Sequence, residues 1–322
     1  MQLSRQKICV GITMGDPSGI GPAIICKALK KLNLQAEFVV IGDKWVFHKA
    51  ASKLGQKIPH PAFLDLNNVC HKGFRFGRIQ AKFGRASIQY LDMALELITR
   101  KKIDCLVTAP ISKAAINLAG LAYRGHTEYL AKHTRVNHPV MMLLNEKLKF
   151  SLVTRHIPLK QVPQAINMRE LSTTIVSTWQ FLKKYFLIRR PRILVMGLNP
   201  HASDNGLIGK EENRIIKPVI KRLSKKIDSL KGPLPADVAT YQANQGNCDC
   251  LIALYHDQAL IPLKLTGAAT GVNITLGLPF VRTSPLHGTA FDISNKPWLA
   301  DPASLISAIK LAILCVSNQR KL

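Results

Sequence analysis

Short apolar runs alternate along the chain with longer stretches in which apolar residues recur every three or four positions. The runs cover residues 8–14, 38–41, 105–107, 150–153, 193–198, 250–254 and 272–278. Runs of this length, bounded by turn formers, read as buried strands. Residues 86–98 place Ile88, Leu91, Leu95 and Ile98 at helical spacing, and 171–182 and 215–223 behave alike. The alternation predicts an α/β fold with largely parallel sheets. Residues 230–235, with Gly232, Pro233 and Pro235, read as a loop. The apolar stretch 305–316 is cut by Ser307 and Lys310 and reads as an amphipathic helix. No stretch approaches the ~18 apolar residues of a membrane span. Run 8–14 is short, contains Gly11 and leads directly into Asp16, unlike a secretory signal.

The chemistry lies in the residues just past each run. In an open parallel sheet the carboxyl ends of the strands share one edge, so residues distant in sequence converge there. Three runs are followed by a histidine: Thr154-Arg155-His156, Asn199-Pro200-His201 and Tyr255-His256-Asp257. The histidines are 45 and 55 residues apart, room for one or two strand–helix units each. Any one of them read alone is a hydrogen-bonding histidine. Three at one edge make a natural divalent-metal site. Run 8–14 leads into Gly15-Asp16-Pro17-Ser18-Gly19-Ile20-Gly21-Pro22 and a helix from Ile20 to about Leu32. Such a loop either offers backbone N–H groups to an anion or makes a tight turn. It matches neither GxGxxG nor a Walker A sequence. Ser112-Lys113 likewise contacts phosphate or caps a helix. Lys264, Asn273 and Arg282 flank the Gly-rich run, and a Lys and an Arg there suit a phosphate or carboxylate.

Length and composition narrow the class. The 322 residues suffice for about two domains. Forty-five Lys and Arg face 19 Asp and Glu, a formal charge of +26. That excess favours phosphorylated ligands, acidic membrane or nucleic acid. The bases come in pairs and triplets, mostly at ends of helical segments, and only 6% of residues are aromatic. A stacking platform for bases is therefore not expected, and a basic surface without a nucleic-acid role is. Seven cysteines include no CxxC pair, and Cys9, Cys105, Cys248 and Cys250 sit in or beside strand-like runs. They read as small buried hydrophobes of a reducing cytoplasm.

The sequence resembles the PdxA family, the 4-hydroxythreonine-4-phosphate dehydrogenases, along nearly its whole length. The resemblance rests on the stretch Thr13 through Pro22, on Thr108-Ala109-Pro110-Ile111-Ser112-Lys113, Gly125-His126-Thr127-Glu128 and Gly197-Leu198-Asn199-Pro200-His201-Ala202. Further on, Tyr255-His256-Asp257-Gln258, the segment from Gly271 to Ser284 and His287-Gly288-Thr289-Ala290 also match. It implies two α/β/α domains with a cleft between them, as in isocitrate and isopropylmalate dehydrogenases. One would comprise residues 1–125 with about 285–322, and the other about 126–284. It implies a homodimer with the site near the subunit interface, and NAD or NADP as cofactor. It implies zinc, magnesium or cobalt held by residues matching His156, His201 and His256. Substrate contacts match His126, Thr127, Lys264, Asn273 and Arg282, and an acidic residue matching Asp237 reaches the metal region from the partner. The chain departs from the family pattern at Ala23, Ser112, Ser203-Asp204, Val238-Ala239-Thr240, Leu286 and Asn295-Lys296-Pro297.

The reaction implied is oxidation of a secondary alcohol followed by decarboxylation. It converts 4-hydroxythreonine 4-phosphate, a small phosphorylated hydroxy amino acid, to 3-amino-1-hydroxyacetone 1-phosphate in vitamin B6 synthesis. The proton acceptor stays open between Lys264, Asp237 of the partner subunit and a metal-bound water. The nearest alternative substrate is a phosphorylated four-carbon sugar acid, erythronate or threonate phosphate. A non-catalytic nucleic-acid-binding protein is the alternative of a different class.

Overall fold

The computed structural model describes residues 7–55, 61–123 and 125–322. The chain divides into two compact units, Met1–Val136 with Leu278–Arg320, and Asn137–Gly277 with Lys321–Leu322. In chain order the strands are β1 (Ile8–Thr13), β2 (Ala36–Gly42), β3 (Ala62–Asp65), β4 (Cys105–Thr108), β5 (Val140–Leu144) and β6 (Lys149–Leu152). They continue with β7 (Ile193–Met196), β8 (Leu230–Leu234), β9 (Cys250–Ala253), β10 (Val272–Leu276) and β11 (Val281–Pro285).

The first unit has strand order β3-β2-β1-β4-β11, and every pair is parallel. Parallel neighbours require crossovers, here carried mostly by helices. Helix Ala81–Thr99 packs on β1, β2 and β4, and helix Ala303–Gln319 on β1, β4 and β11. Val10, Ile12, Leu106 and Val107 have no exposed surface, as expected for strands covered on both faces. This explains why their sequences read as unbroken apolar runs.

The second unit has order β10-β5-β6-β9-β7-β8. β10, β5 and β6 pair antiparallel, whereas β6, β9, β7 and β8 run parallel. Asn145 makes the β5–β6 turn: its Oδ1 accepts from the backbone N–H of Lys147 and of Leu148, at 2.9 and 2.8 Å. Helix Met168–Tyr185 packs on β5, β6, β9 and β10.

Two expectations change. Residues 230–235 do not form a loop: Leu230–Leu234 is strand β8, last in its unit's order and paired with β7. An edge position tolerates Pro233, whose missing N–H needs no partner there, and the register shifts at Leu194–Met196 opposite it. The units divide at Val136 and Leu278, so His126, Thr127 and Arg282 lie in the first rather than the second. Arg282 is placed there because β11 pairs with β4, Arg282 opposite Leu106. Among the described residues no helix is long and apolar enough to cross a membrane, in line with helix 303–319 lying on its sheet.

Candidate active site

The glycine-rich turn after β1 is a packing device. Gly15 has φ +72°, and a Cβ there would stand 2.3 Å from the Pro110 carbonyl oxygen; one on Gly21 would stand 2.1 Å from that of Met14. Four of its N–H groups are used internally. Asp16 donates to Pro110 O and Ile20 to Thr289 O. Ser18 donates to Asp16 Oδ1 at 2.9 Å, and Gly19 to Asp16 O. Those four N–H groups are therefore not available to a pyrophosphate. Asp16 itself is fully buried, its Oδ2 lacks a hydrogen-bond partner, and burial pushes its carboxyl up to about 7. Ser112 is a helix cap: its Oγ accepts from Ala115 N at 3.1 Å.

In the same unit two predicted substrate residues lie within reach of each other's charge. Arg282 is 1% exposed, and its Nη2 donates to Thr108 Oγ1 at 2.6 Å, tying β11 to the end of β4. Burial lowers its guanidinium to about 9, against the raising influence of Glu128. His126 opens helix His126–His133, and its Nε2 is buried with no hydrogen-bond partner. Burial, then the Arg282 charge, hold its imidazole well below the ordinary histidine range. A neutral ring with an unmatched nitrogen beside a desolvated cation suits a phosphate or carboxylate, since an anion restores the solvation Arg282 lost. Thr127 is buried next to them. Glu128, in the first turn of that helix, is the acidic group whose charge Arg282 feels.

In the second unit the three histidines follow β6, β9 and β7, adjacent parallel strands with β9 in the middle. Thr154 extends the β6–β9 pairing: its N–H and Oγ1 both donate to Leu254 O, at 3.1 and 2.7 Å. His156 and His256 each stand two residues beyond that bond, with ring centroids 5.6 Å apart. His256 Nδ1 lies 2.7 Å from Asp257 Oδ1, which leaves Nε2 for a ligand. A metal-bound imidazole is usually held by a carboxylate in this way. Gln258 ties β9 to β7 by accepting from Leu254 N and donating to Gly197 O, both at 2.8 Å. His201 stands past β7 in a turn, Pro200–Gly206, where residues 201 to 205 all have φ between 43° and 71°. Each non-glycine residue in this left-handed form costs roughly 1–2 kcal/mol. Such strain persists where the surroundings enforce it, often at sites. Among the described residues no three or more His, Cys, Asp and Glu side chains stand at metal-holding spacing. His156 and His256 are ring neighbours, and His201 occupies the neighbouring strand end.

Of the remaining predicted residues, Asp237 follows β8, the parallel neighbour of β7, and so shares this edge, whereas Lys264 and Asn273 do not. Lys264 is exposed, eight residues beyond His256 on helix His256–Gly267, about 12 Å along its axis. Asn273 pairs with Leu143, and Leu143 with Phe150. It is thus level with the start of β6, about 13 Å of extended chain before Thr154, and its buried Oδ1 lacks a partner. Asp237 is exposed in the first turn of helix Ala236–Asn244. Sequence reasoning passed over Arg155, whose Nη1 is buried without a hydrogen-bond partner next to His156. It also passed over Glu212, fully buried with three donors on its carboxyl. Arg155 was legible as a cation between a strand end and a histidine. Nothing in the sequence marks Glu212.

Polar side chains gathered at the carboxyl ends of parallel strands mark α/β enzymes, and solved structures of dehydrogenases share this fold. Isocitrate dehydrogenase from Methylococcus capsulatus superposes with a TM-score of 0.51 at 14% identity, covering 97% of this chain and 87% of that one. The chain belongs to the family of the pyridoxal phosphate biosynthetic protein PdxA, which matches residues 33–312. The 4-hydroxythreonine-4-phosphate dehydrogenase of Klebsiella pneumoniae has a TM-score of 0.86 at 37% identity, over 98% of this chain and 99% of that one. The 4-hydroxythreonine-4-phosphate dehydrogenase of Sulfurihydrogenibium sp. (strain YO3AOP1) is 42% identical over 316 residues, 95% of this chain and 97% of the relative. The D-threonate 4-phosphate dehydrogenase of Salmonella typhimurium is 40% identical over 323 residues, 94% of this chain and 98% of the relative. The protein is a dehydrogenase.

Proposed function

We propose that the protein oxidises and decarboxylates 4-hydroxythreonine 4-phosphate to 3-amino-1-hydroxyacetone 1-phosphate, in the cytoplasm and on the route to pyridoxal phosphate. The observation that carries this reading is the buried Arg282, whose charge reaches the buried His126, a pairing suited to the substrate phosphate. The names of the Sulfurihydrogenibium and Klebsiella relatives support the substrate, and seven free cysteines accord with a reducing compartment. Hydride removal needs NAD or NADP, because no side chain accepts a hydride. His156, His201 and His256 would hold the divalent ion (zinc, magnesium or cobalt), which polarises the alcohol when bound. Oxidation gives a ketone β to the carboxylate, and carbon dioxide then leaves.

The reading includes a homodimer whose sites draw on both copies. Lys264 and Asn273 stand about a strand's length along the chain from the strand ends that carry the imidazoles, which supports the reading that one copy's Lys264 and Asn273 serve the partner's histidines. Lys264, with Asp237, is proposed to move the proton. Mixed dimers test this. Lys264→Ala and His256→Ala homodimers are each expected to be inactive. Dissociating and reassociating an equal mixture should restore about a quarter of wild-type activity, since half the dimers then carry one intact site. No recovery would mean that each site is built within one chain.

Arg155 favours a second substrate. D-Threonate 4-phosphate carries a hydroxyl where 4-hydroxythreonine 4-phosphate carries an ammonium, and the half-buried guanidinium of Arg155, next to His156 in the chain, repels an ammonium. The Salmonella typhimurium relative is named for that substrate. Measuring NADH formation from both compounds, with and without a chelator, decides the matter. Turnover of 4-hydroxythreonine 4-phosphate that the chelator abolishes is expected. Turnover of threonate 4-phosphate alone would reassign the substrate and leave the site intact.

A further inference from the structure

We propose that Glu212 is a positioning residue for metal binding. Through Leu198 and Asn199 it holds the turn 200–206 in the left-handed form that presents His201 to the ion. This rests on the reading of His201 as a ligand.

The turn is clasped at both ends by the segment C-terminal to it. Before the turn, Glu212 Oε1 accepts from the backbone N–H groups of Leu198 and Asn199, both at 2.8 Å. Its Oε2 accepts from Asn199 Nδ2 at 2.9 Å, as does Glu211 Oε2. After the turn, Asn213 Nδ2 donates to Asn205 O at 2.9 Å. Gly209 makes room: with φ +80°, it lies where a Cβ would come within 2.3 Å of Asn199 Nδ2. Glu212 has no exposed surface and opens a π-helical turn, Glu212–Ile216, a rare feature that recurs at functional sites. A run of left-handed non-glycine residues does not hold itself. Here the two N–H groups that precede it are fixed by one carboxyl, so the direction in which the chain leaves β7 is fixed too. His256 has Asp257 as its hydrogen-bond partner. Glu212 serves His201 through the backbone instead.

The test is calorimetric titration of the full-length protein with Co(II), with the cobalt absorption bands followed in parallel. Glu212→Ala is expected to weaken cobalt binding 10–100-fold, the usual effect of removing the groups that orient metal ligands. Glu212→Gln keeps the oxygen that serves Leu198 and Asn199 and should stay within about threefold of wild type. Should the alanine variant fail to fold, Glu212→Asp, whose shorter side chain pulls back from both N–H groups, carries the same expectation. His201→Ala should itself weaken binding, and His201→Ala/Glu212→Ala should be no weaker than His201→Ala alone. A Glu212→Ala protein that melts lower but binds cobalt like wild type would overturn the proposal. So would an equal further loss in the His201→Ala background. If His201→Ala binds cobalt normally, the ligand reading falls and this proposal with it; if it binds weakly while Glu212→Ala does not, only the role of Glu212 falls.

Discussion

Replacing His201 by alanine is expected to leave the fold intact and to lower kcat by about 10³-fold or more, the several kcal/mol that a Lewis acid supplies to such a reaction. His201 is exposed, so alanine forfeits little burial there. The far-ultraviolet circular dichroism and melting temperature should match wild type. His201→Gly sharpens the comparison. Glycine adopts φ +52° without the cost histidine bears there, so this variant should melt at or above the wild-type temperature while losing the same activity. Stability and turnover would then move in opposite directions, which a purely structural histidine does not produce. Full turnover with metal still bound in either variant would remove His201 from the ligand set.

Replacing Arg282 by methionine is the second large effect. The side chain is almost entirely buried and donates to Thr108 from a strand interior, and methionine fills similar volume without the charge. We expect kcat/KM for the phosphorylated substrate to fall about 10²–10³-fold, some 3–4 kcal/mol, as when a buried anion loses its cation. Inhibition by inorganic phosphate should weaken in parallel. Arg282→Lys restores charge but not the planar fork, so its loss should be smaller. Thr108→Val, which removes only the oxygen that orients the guanidinium, should cost about 1 kcal/mol. An Arg282→Met enzyme with unchanged KM and phosphate inhibition would show that the anion binds elsewhere.

Sequence patterning located β1, β4 and β9 most closely, because burial on both faces erases polar alternation, but it passed over the fully buried β11, whose Arg282, Thr283 and Ser284 interrupt its apolar run. Residues 8–14, 105–107 and 250–254 became β1, β4 and β9 with ends shifted by no more than a residue. β3 and β8 lie at the edges of their units' strand orders, where one side needs no partner and composition is free to look loop-like. Pro233 in β8 is the plainest case. Histidines after strands were legible because a polar residue ending an apolar run is itself the signal. Their adjacency was not, since strand order β6-β9-β7 depends on pairings far apart in sequence. The separation of Lys264 and Asn273 from the imidazoles was hidden for the same reason: it is a matter of which end of a helix or strand carries each residue. Glu212 was illegible because its partners are backbone N–H groups, which every sequence has.

The central claim is that His156, His201 and His256 bind one cation. Anomalous diffraction from crystals grown with cobalt addresses it directly. A single peak within bonding distance of a nitrogen from each ring, about 2 Å, is the expected result. A peak held by other side chains, or rings that cannot all reach one ion, would contradict it.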